Sequence, residues 1–195
     1  MRRPVVKRVA AVIILVLSAA ITAVGTCTIW PCHSAFAQGQ KTPEAYIDKS
    51  LKIGDFAPDI MLPDVSGKIW SRKLYEKTKN AHSRILYVFT IMNCEPCREA
   101  LKHLKENAHN MDDTEVVVIS FGPKKLIMRE LERMPLPFIV LCDENSETYF
   151  EYQLSDTPTI VLTCDDVITY VNSGWDSNKQ NELMQVIANL RQTYM

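Results

Sequence analysis

Residues 84–104 read Arg84-Ile85-Leu86-Tyr87-Val88-Phe89-Thr90-Ile91-Met92-Asn93-Cys94-Glu95-Pro96-Cys97-Arg98-Glu99-Ala100-Leu101-Lys102-His103-Leu104. The run from Arg84 to Thr90 is short and rich in β-branched and aromatic residues, which predicts a buried strand. From Cys97 onward, Leu101, Leu104 and Ala108 recur at helical spacing and predict one apolar helix face. Cys94-Glu95-Pro96-Cys97 thus falls at a strand-to-helix junction. Unpaired backbone N–H groups and the helix dipole at such a junction favour a thiolate on the first sulfur, the arrangement of a dithiol/disulfide switch. Cys97 is expected to point into the protein and Cys94 to stay reachable. Pro96 fits the first helical turn, where its missing N–H costs nothing. Glu95 is the modulating neighbour, because a carboxylate beside Cys94 disfavours its thiolate.

Around this junction the chain alternates strand and helix patterns. On the N-terminal side, Ile53-Gly54-Asp55-Phe56-Ala57-Pro58-Asp59-Ile60-Met61-Leu62-Pro63-Asp64 and the turn at Ser66-Gly67 predict a hairpin. A brief helix is expected over 71–79, with Ser71 as its N-cap. On the C-terminal side, Glu115–Phe121 reads as a second buried strand, and Leu126, Ile127, Leu131 and Met134 mark a helix ended by Pro135. A third strand is expected at Phe138–Leu141, a short helix at Ser146–Leu154, a fourth strand at Thr159–Leu162 and a fifth at Val167–Val171. Asp143 and Asp165-Asp166 read as turn residues, and Trp175 as a loop aromatic. Leu183, Val186, Ile187 and Leu190 mark a closing amphipathic helix. The pattern predicts an α/β three-layer sandwich, a mixed central sheet flanked by helices, with an N-terminal hairpin extension.

The 195 residues are enough for one domain with a sizeable core plus an extension. Arg2, Arg3, Lys7 and Arg8 precede an apolar stretch from Val9 to Gly25, and Ala35-Phe36-Ala37 has the small-x-small form of a signal-peptidase site. Residues 1–37 therefore read as a signal peptide or, since apolar character persists to Trp30, as an N-terminal membrane anchor. Both alternatives place the remainder outside the cytoplasm, in the periplasm or on the outer face of the membrane. Residues 38–51 read as a linker or short helix, and 52–195 as the folded domain. Residues 1–37 hold four of the 22 basic residues and none of the 23 acidic ones, so the remainder carries a net charge near −5. No basic stripe remains for nucleic acid. Of the six cysteines, Cys94, Cys97, Cys142 and Cys164 lie beyond the leader. In an exported protein the C-x-x-C is better suited to redox cycling than to zinc.

Asp156-Thr157-Pro158-Thr159 opens the fourth strand. A C-x-x-C after one strand and a Thr-Pro before a later one resemble the thioredoxin-like superfamily. The Ile53–Asp59 segment and the extra strand and helix between Glu115 and Met134 resemble its exported TlpA- and ResA-type thiol–disulfide oxidoreductases, over about residues 52–195. The resemblance implies that Cys94 and Cys97 are the catalytic pair, closing as a Cys94–Cys97 disulfide. It also implies that Pro158 is a cis proline whose loop, Thr157-Pro158, faces the sulfurs and lines the groove for an incoming chain. Protein disulfides or dithiols would be the substrates, and a membrane redox partner would recycle the pair. No cofactor or metal is implied. The C-E-P-C tetrad matches that of ResA-like reductases, which act in cytochrome c maturation, and so points to reduction of partners. Asn93 stands where an aromatic commonly precedes the first Cys, and Ala100 stands where some reductive relatives carry a functional Glu.

Two other functions fit less well. A thiol peroxidase of peroxiredoxin type needs P-x-x-x-T-x-x-C, whereas here Thr90 is four residues before Cys94 and Tyr87 occupies the position of the Pro. A copper-binding assembly factor needs C-x-x-x-C with a distant His; the spacing here is C-x-x-C, and His82, His103 and His109 lie away from the Thr-Pro region. His103 and His109 read as solvated surface residues. Cys142 is expected at the end of a strand parallel to the one before the C-x-x-C and Cys164 at the end of an antiparallel one. This places them at opposite ends of the sheet and favours simple core packing for both.

Overall fold

The computed structural model describes residues 51–76, 84–111 and 113–193. The expected leader over 1–37, nearly all of the linker, the last residues of the helix expected over 71–79, and His82 lie outside the described residues. The predicted N-terminal hairpin is present: β1 (Met61–Pro63) pairs antiparallel with β2 (Ile69–Ser71), Met61 opposite Ser71. Its turn is held by the Asp64 carboxylate, which accepts from the backbone N–H of Ser66 at 2.8 Å and of Lys68 at 3.0 Å. Helix α1 (Arg72–Glu76) follows, with the Ser71 hydroxyl accepting the N–H of Leu74 at 3.3 Å as an N-cap does.

The central sheet has five strands, β3 (Arg84–Ile91), β4 (Glu115–Phe121), β5 (Ile139–Asp143), β6 (Thr159–Cys164) and β7 (Val167–Ser173), in the order β5-β4-β3-β6-β7. β3, β4 and β5 run parallel, and β6 and β7 are antiparallel to their neighbours, so the sheet is mixed. Interleaved are α2 (Glu95–Glu106), a short 3-10 turn (Ala108–Asn110), α3 (Lys124–Arg133), α4 (Glu147–Glu151) and α5 (Ser177–Thr193). β3 lies in the middle of the sheet and is buried on both faces, which explains its unbroken apolar run. Leu86 and Val88 face one core, with Leu101 and Leu104 of α2, Ile127 of α3, and Leu183 and Ile187 of α5. Ile85, Tyr87 and Phe89 face the other, with Ala57, Ile60, Leu62, Tyr152 and Leu154.

The segment from Gly54 through β1 to Asp64 crosses the sheet on the side of the second core. At one edge the Gly54 N–H donates to Ile168 O at 2.8 Å, the Ile168 N–H to Asp55 O at 2.9 Å and the Ala57 N–H to Asp166 O at 2.9 Å. At the other edge Asp64 bridges to Leu141 of β5. Both edge strands are thereby partly covered, which blunts them against pairing with other chains. Arg72 pins the crossing. It is buried, its Nη1 donates to Ala57 O at 3.0 Å, and its Nε lies 3.0 Å from the Asp166 carboxylate. Asp165 and Asp166 both adopt positive φ, 48° and 70°, in the two-residue turn joining β6 to β7, a conformation Asp tolerates.

Local expectations are refined at several points. β5, β6 and β7 extend past their predicted ends to Asp143, Cys164 and Ser173, because neighbouring strands supply hydrogen-bonding partners there. Asp143 opens the expected turn, its carbonyl accepting the Ser146 N–H at 3.2 Å, and is buried; its carboxylate accepts from Glu147 N–H at 2.9 Å, Thr148 N–H at 2.8 Å and Thr148 Oγ1 at 2.6 Å, holding the start of α4. His103 is not a solvated surface residue; it is half-buried, its ring 5.6 Å from that of Trp175 in an edge-on contact. Burial pushes its pKa below the ordinary 6.5, with the field of Glu106 opposing. His109 is exposed, as expected. Cys142 pairs with Ser120 towards one end of the sheet, and Cys164 with Arg84 at the other. Both are buried and neither is in a disulfide, and burial raises the pKa of the Cys142 thiol.

Candidate active site

β3 ends at Ile91, and the chain turns into α2 through Met92-Asn93-Cys94. Asn93 makes the turn with φ 58°, in the left-handed region where Asn is among the best-tolerated residues other than Gly. Cys94 is the N-cap of α2, extended at φ −101° and ψ 109°, and its Sγ accepts the Cys97 N–H at 3.2 Å. A sulfur thus takes the place that a Ser or Asp oxygen usually fills at a helix start. Pro96 sits in the first turn, where no N–H is missed. Cys97, Ala100, Leu101 and Leu104 are buried while Cys94 is half-buried. One sulfur is therefore reachable and the other covered.

The two sulfurs are joined in a disulfide, with Cα atoms 5.2 Å apart. Thr157-Pro158 is cis, and the Thr157 carbonyl oxygen lies 3.9 Å from Cys94 Sγ. The Thr-Pro loop and the C-x-x-C, far apart in the chain, are therefore neighbours. Local hydrogen bonds fix this loop: Thr159 Oγ1 donates to Asp156 O at 2.7 Å and shares a 2.9 Å bond with Ser173 Oγ, and the Gly174 N–H donates to Pro158 O at 2.7 Å. The Thr157 N–H is occupied by the Asp156 carboxylate at 2.7 Å, so an extended chain that uses this donor must displace Asp156. No motif flags that role for Asp156; an Asp directly before Thr-Pro is its only trace in the sequence.

Glu95 is exposed and ion-paired with Arg98, one turn further along α2. Its negative charge therefore does not act alone on Cys94. Ala100 is fully buried. Thr90 is buried with its hydroxyl donating to Ile119 O at 3.4 Å, so it is committed to the sheet. Among the described residues there is no group of three or more His, Cys, Asp or Glu side chains placed to hold a metal ion. No described helix is long and apolar enough to cross a membrane. Trp175 follows Gly174, whose N–H holds Pro158, and packs on His103 of α2. This contact ties the helix carrying Cys97 to the loop carrying Pro158.

Residues 53–173 match the AhpC/TSA family. Among solved structures, a Chlorobium tepidum protein assigned as the thiol:disulfide interchange protein DsbE is 25% identical; the match covers 72% of this chain and 98% of that one, with a TM-score of 0.62. The thioredoxin domain of a Bacteroides vulgatus thiol-disulfide oxidoreductase matches at 18% identity over 71% of this chain and 99% of its own, TM-score 0.58. StoA of Bacillus subtilis matches at 18% identity over 66% and 96%, TM-score 0.53. At 18% identity these last two show a shared fold. No curated protein sequence matches the chain significantly. The matched region spans the hairpin, both sides of the C-x-x-C and the Thr-Pro strand, and the chain belongs to the AhpC/TSA family as an oxidoreductase of thioredoxin-like fold.

Proposed function

We propose that this protein is an extracytoplasmic thiol–disulfide oxidoreductase that reduces disulfides in partner proteins. The observation that carries the reading is the asymmetry of the pair. A half-exposed Cys94 caps α2 beside the Thr157 carbonyl, and a buried Cys97 stands one turn behind it. In the reduced enzyme the Cys94 thiolate, favoured by the free N–H groups at the start of α2, attacks one sulfur of a partner disulfide. The partner S–S bond breaks, a Cys94–partner disulfide forms, and one partner thiolate leaves. The Cys97 thiolate then attacks Cys94 Sγ, releases the second partner thiolate and closes the Cys94–Cys97 disulfide. Two electrons pass to the partner, and an external dithiol must return them. A membrane protein drawing on cytoplasmic electrons fits the leader read in residues 1–37.

The reducing direction rests on the C-E-P-C tetrad, with cytochrome c apoproteins as candidate substrates by the same resemblance. Glu95 adds less than its position suggests, because Arg98 pairs with it. Two experiments test the reading. A redox titration against glutathione should place the pair well below the about −120 mV of the strongly oxidising catalyst DsbA; a value near that figure would overturn the direction. Trapping with Cys97→Ser should leave partner proteins disulfide-linked to Cys94. Recovery of cytochrome c apoproteins would support the maturation role, a broad set of exported proteins would favour a general one, and the absence of adducts would reject exchange with proteins.

A further inference from the structure

A polar groove opens beside the C-x-x-C on the side away from the Thr157-Pro158 loop's strand, lined by Met92, Asn93, Leu126, Arg129, Glu130 and Arg133. Met92 and Asn93 lead directly into Cys94. The other four residues recur at helical spacing and form one stripe along α3. α3 carries Lys124, Lys125, Arg129 and Arg133 against Glu130 and Glu132, a positive helix in a chain of net charge −1. Within the groove Glu130 is already neutralised: Arg133 Nη1 lies 3.0 Å from its carboxylate, and Glu130 also contributes to the field on Arg98 of α2. Arg129 is exposed and has no ion-pair or hydrogen-bond partner among the described residues. Leu126 keeps 41% of its surface exposed at the groove wall. The groove thus offers an unspent guanidinium, a second one only partly spent, and an apolar wall, along the Met92-Asn93 turn that leads into Cys94.

We propose that this groove selects partners whose disulfide lies in an acidic segment, with an Asp or Glu close to the target cysteine set against Arg129. The proposal rests on the thiol–disulfide exchange reading and adds the charge of the substrate to it. Arg129 acts through binding and takes no part in electron transfer. An arginine fork pairs with a carboxylate in bidentate geometry, and a rim charge of this kind acts chiefly on encounter and register.

The test uses the reduced full-length protein and two synthetic peptide disulfides, identical except for Asp or Lys on both sides of the cysteine. The readout is the ratio of their second-order exchange rates. The acidic peptide is expected to react about fivefold faster at low salt, the scale of one exposed ion pair. The preference should shrink towards unity at about 0.5 M salt, where screening reaches a few ångströms. Arg129→Glu should bring the ratio to or below unity, while Lys52→Glu, with the same change in net charge, should not. Equal rates for the two peptides, or a Lys52→Glu effect as large as that of Arg129→Glu, would overturn the proposal. Failure to exchange with either peptide would overturn the dithiol reading itself, and this proposal with it.

Discussion

Asp143 is the side chain whose removal should reveal most about how the fold carries the site. It ends β5, is 1% exposed, and its carboxylate accepts three hydrogen bonds from Glu147 and Thr148 at the start of α4. α4 leads into Tyr152, whose hydroxyl donates to Pro58 O at 2.8 Å, and from there the chain runs on to the loop of Thr157 and Pro158. In Asp143→Ala the buried Thr148 N–H and hydroxyl lose their acceptor, while the Glu147 N–H is near enough to the surface to find water. A hydrogen bond to a charged group contributes about 1.5–3 kcal/mol and a helix cap about 0.5–2 kcal/mol, and these overlap here, so a total near 3 kcal/mol is expected. Asp143→Asn keeps one acceptor oxygen and should cost about half as much. In urea denaturation the midpoint should fall with an unchanged slope, and the melting temperature should drop by about 10 °C for Ala. A cost below about 1 kcal/mol for Ala, or equal costs for Asn and Ala, would refute the capping argument.

Leu104 is fully buried between α2 and the sheet, and Leu104→Ala should cost about 2–5 kcal/mol in the same denaturation assay. Cys142 and Cys164 are buried outside any disulfide, and burial raises the pKa of the Cys142 thiol. Peptide mapping should find both unlabelled by iodoacetamide in the native protein at about pH 8 and labelled after unfolding. Burial holds His103 below its ordinary pKa of 6.5, so between the folded and unfolded values the unfolded chain binds more protons, and stability falls as pH drops below about 6.5. His103→Phe should flatten that part of the stability–pH curve, as read from urea midpoints at successive pH values.

What the sequence disclosed followed the reach of the interactions involved. β3 and α2 were legible because burial on both faces of one and on one face of the other is written into neighbouring residues, and the same local pattern located Cys94 outside and Cys97 inside. The meeting of Thr157-Pro158 with the sulfurs came from resemblance, since no local signal links positions so distant. The crossing of residues 54–64 over the sheet was invisible because its anchoring hydrogen bonds and bridges go to Asp166, Ile168 and Leu141, beyond any window of periodicity. Asp143 has the composition of a turn residue and the burial of a core one, the latter conferred by α4 folding back over it. His103 occupies a polar position of the helix in sequence and is covered by Trp175, an aromatic contributed from beyond β7. Glu95 neighbours Cys94 in the chain, but its carboxylate pairs with Arg98 on the next turn of α2.

On the proposed mechanism Cys94 attacks and Cys97 resolves, with the other two described cysteines held out of the chemistry. It is tested most directly by mixing the reduced protein with one equivalent of a small disulfide and mapping every sulfur by mass spectrometry. A Cys94–Cys97 disulfide is expected, with both halves of the reagent released as thiols, and, in Cys97→Ser, a stable adduct on Cys94 and on neither of the other described cysteines. An adduct on Cys142 or Cys164, or a Cys94→Ser variant that forms its adduct on Cys97 as fast as Cys97→Ser does on Cys94, would contradict it.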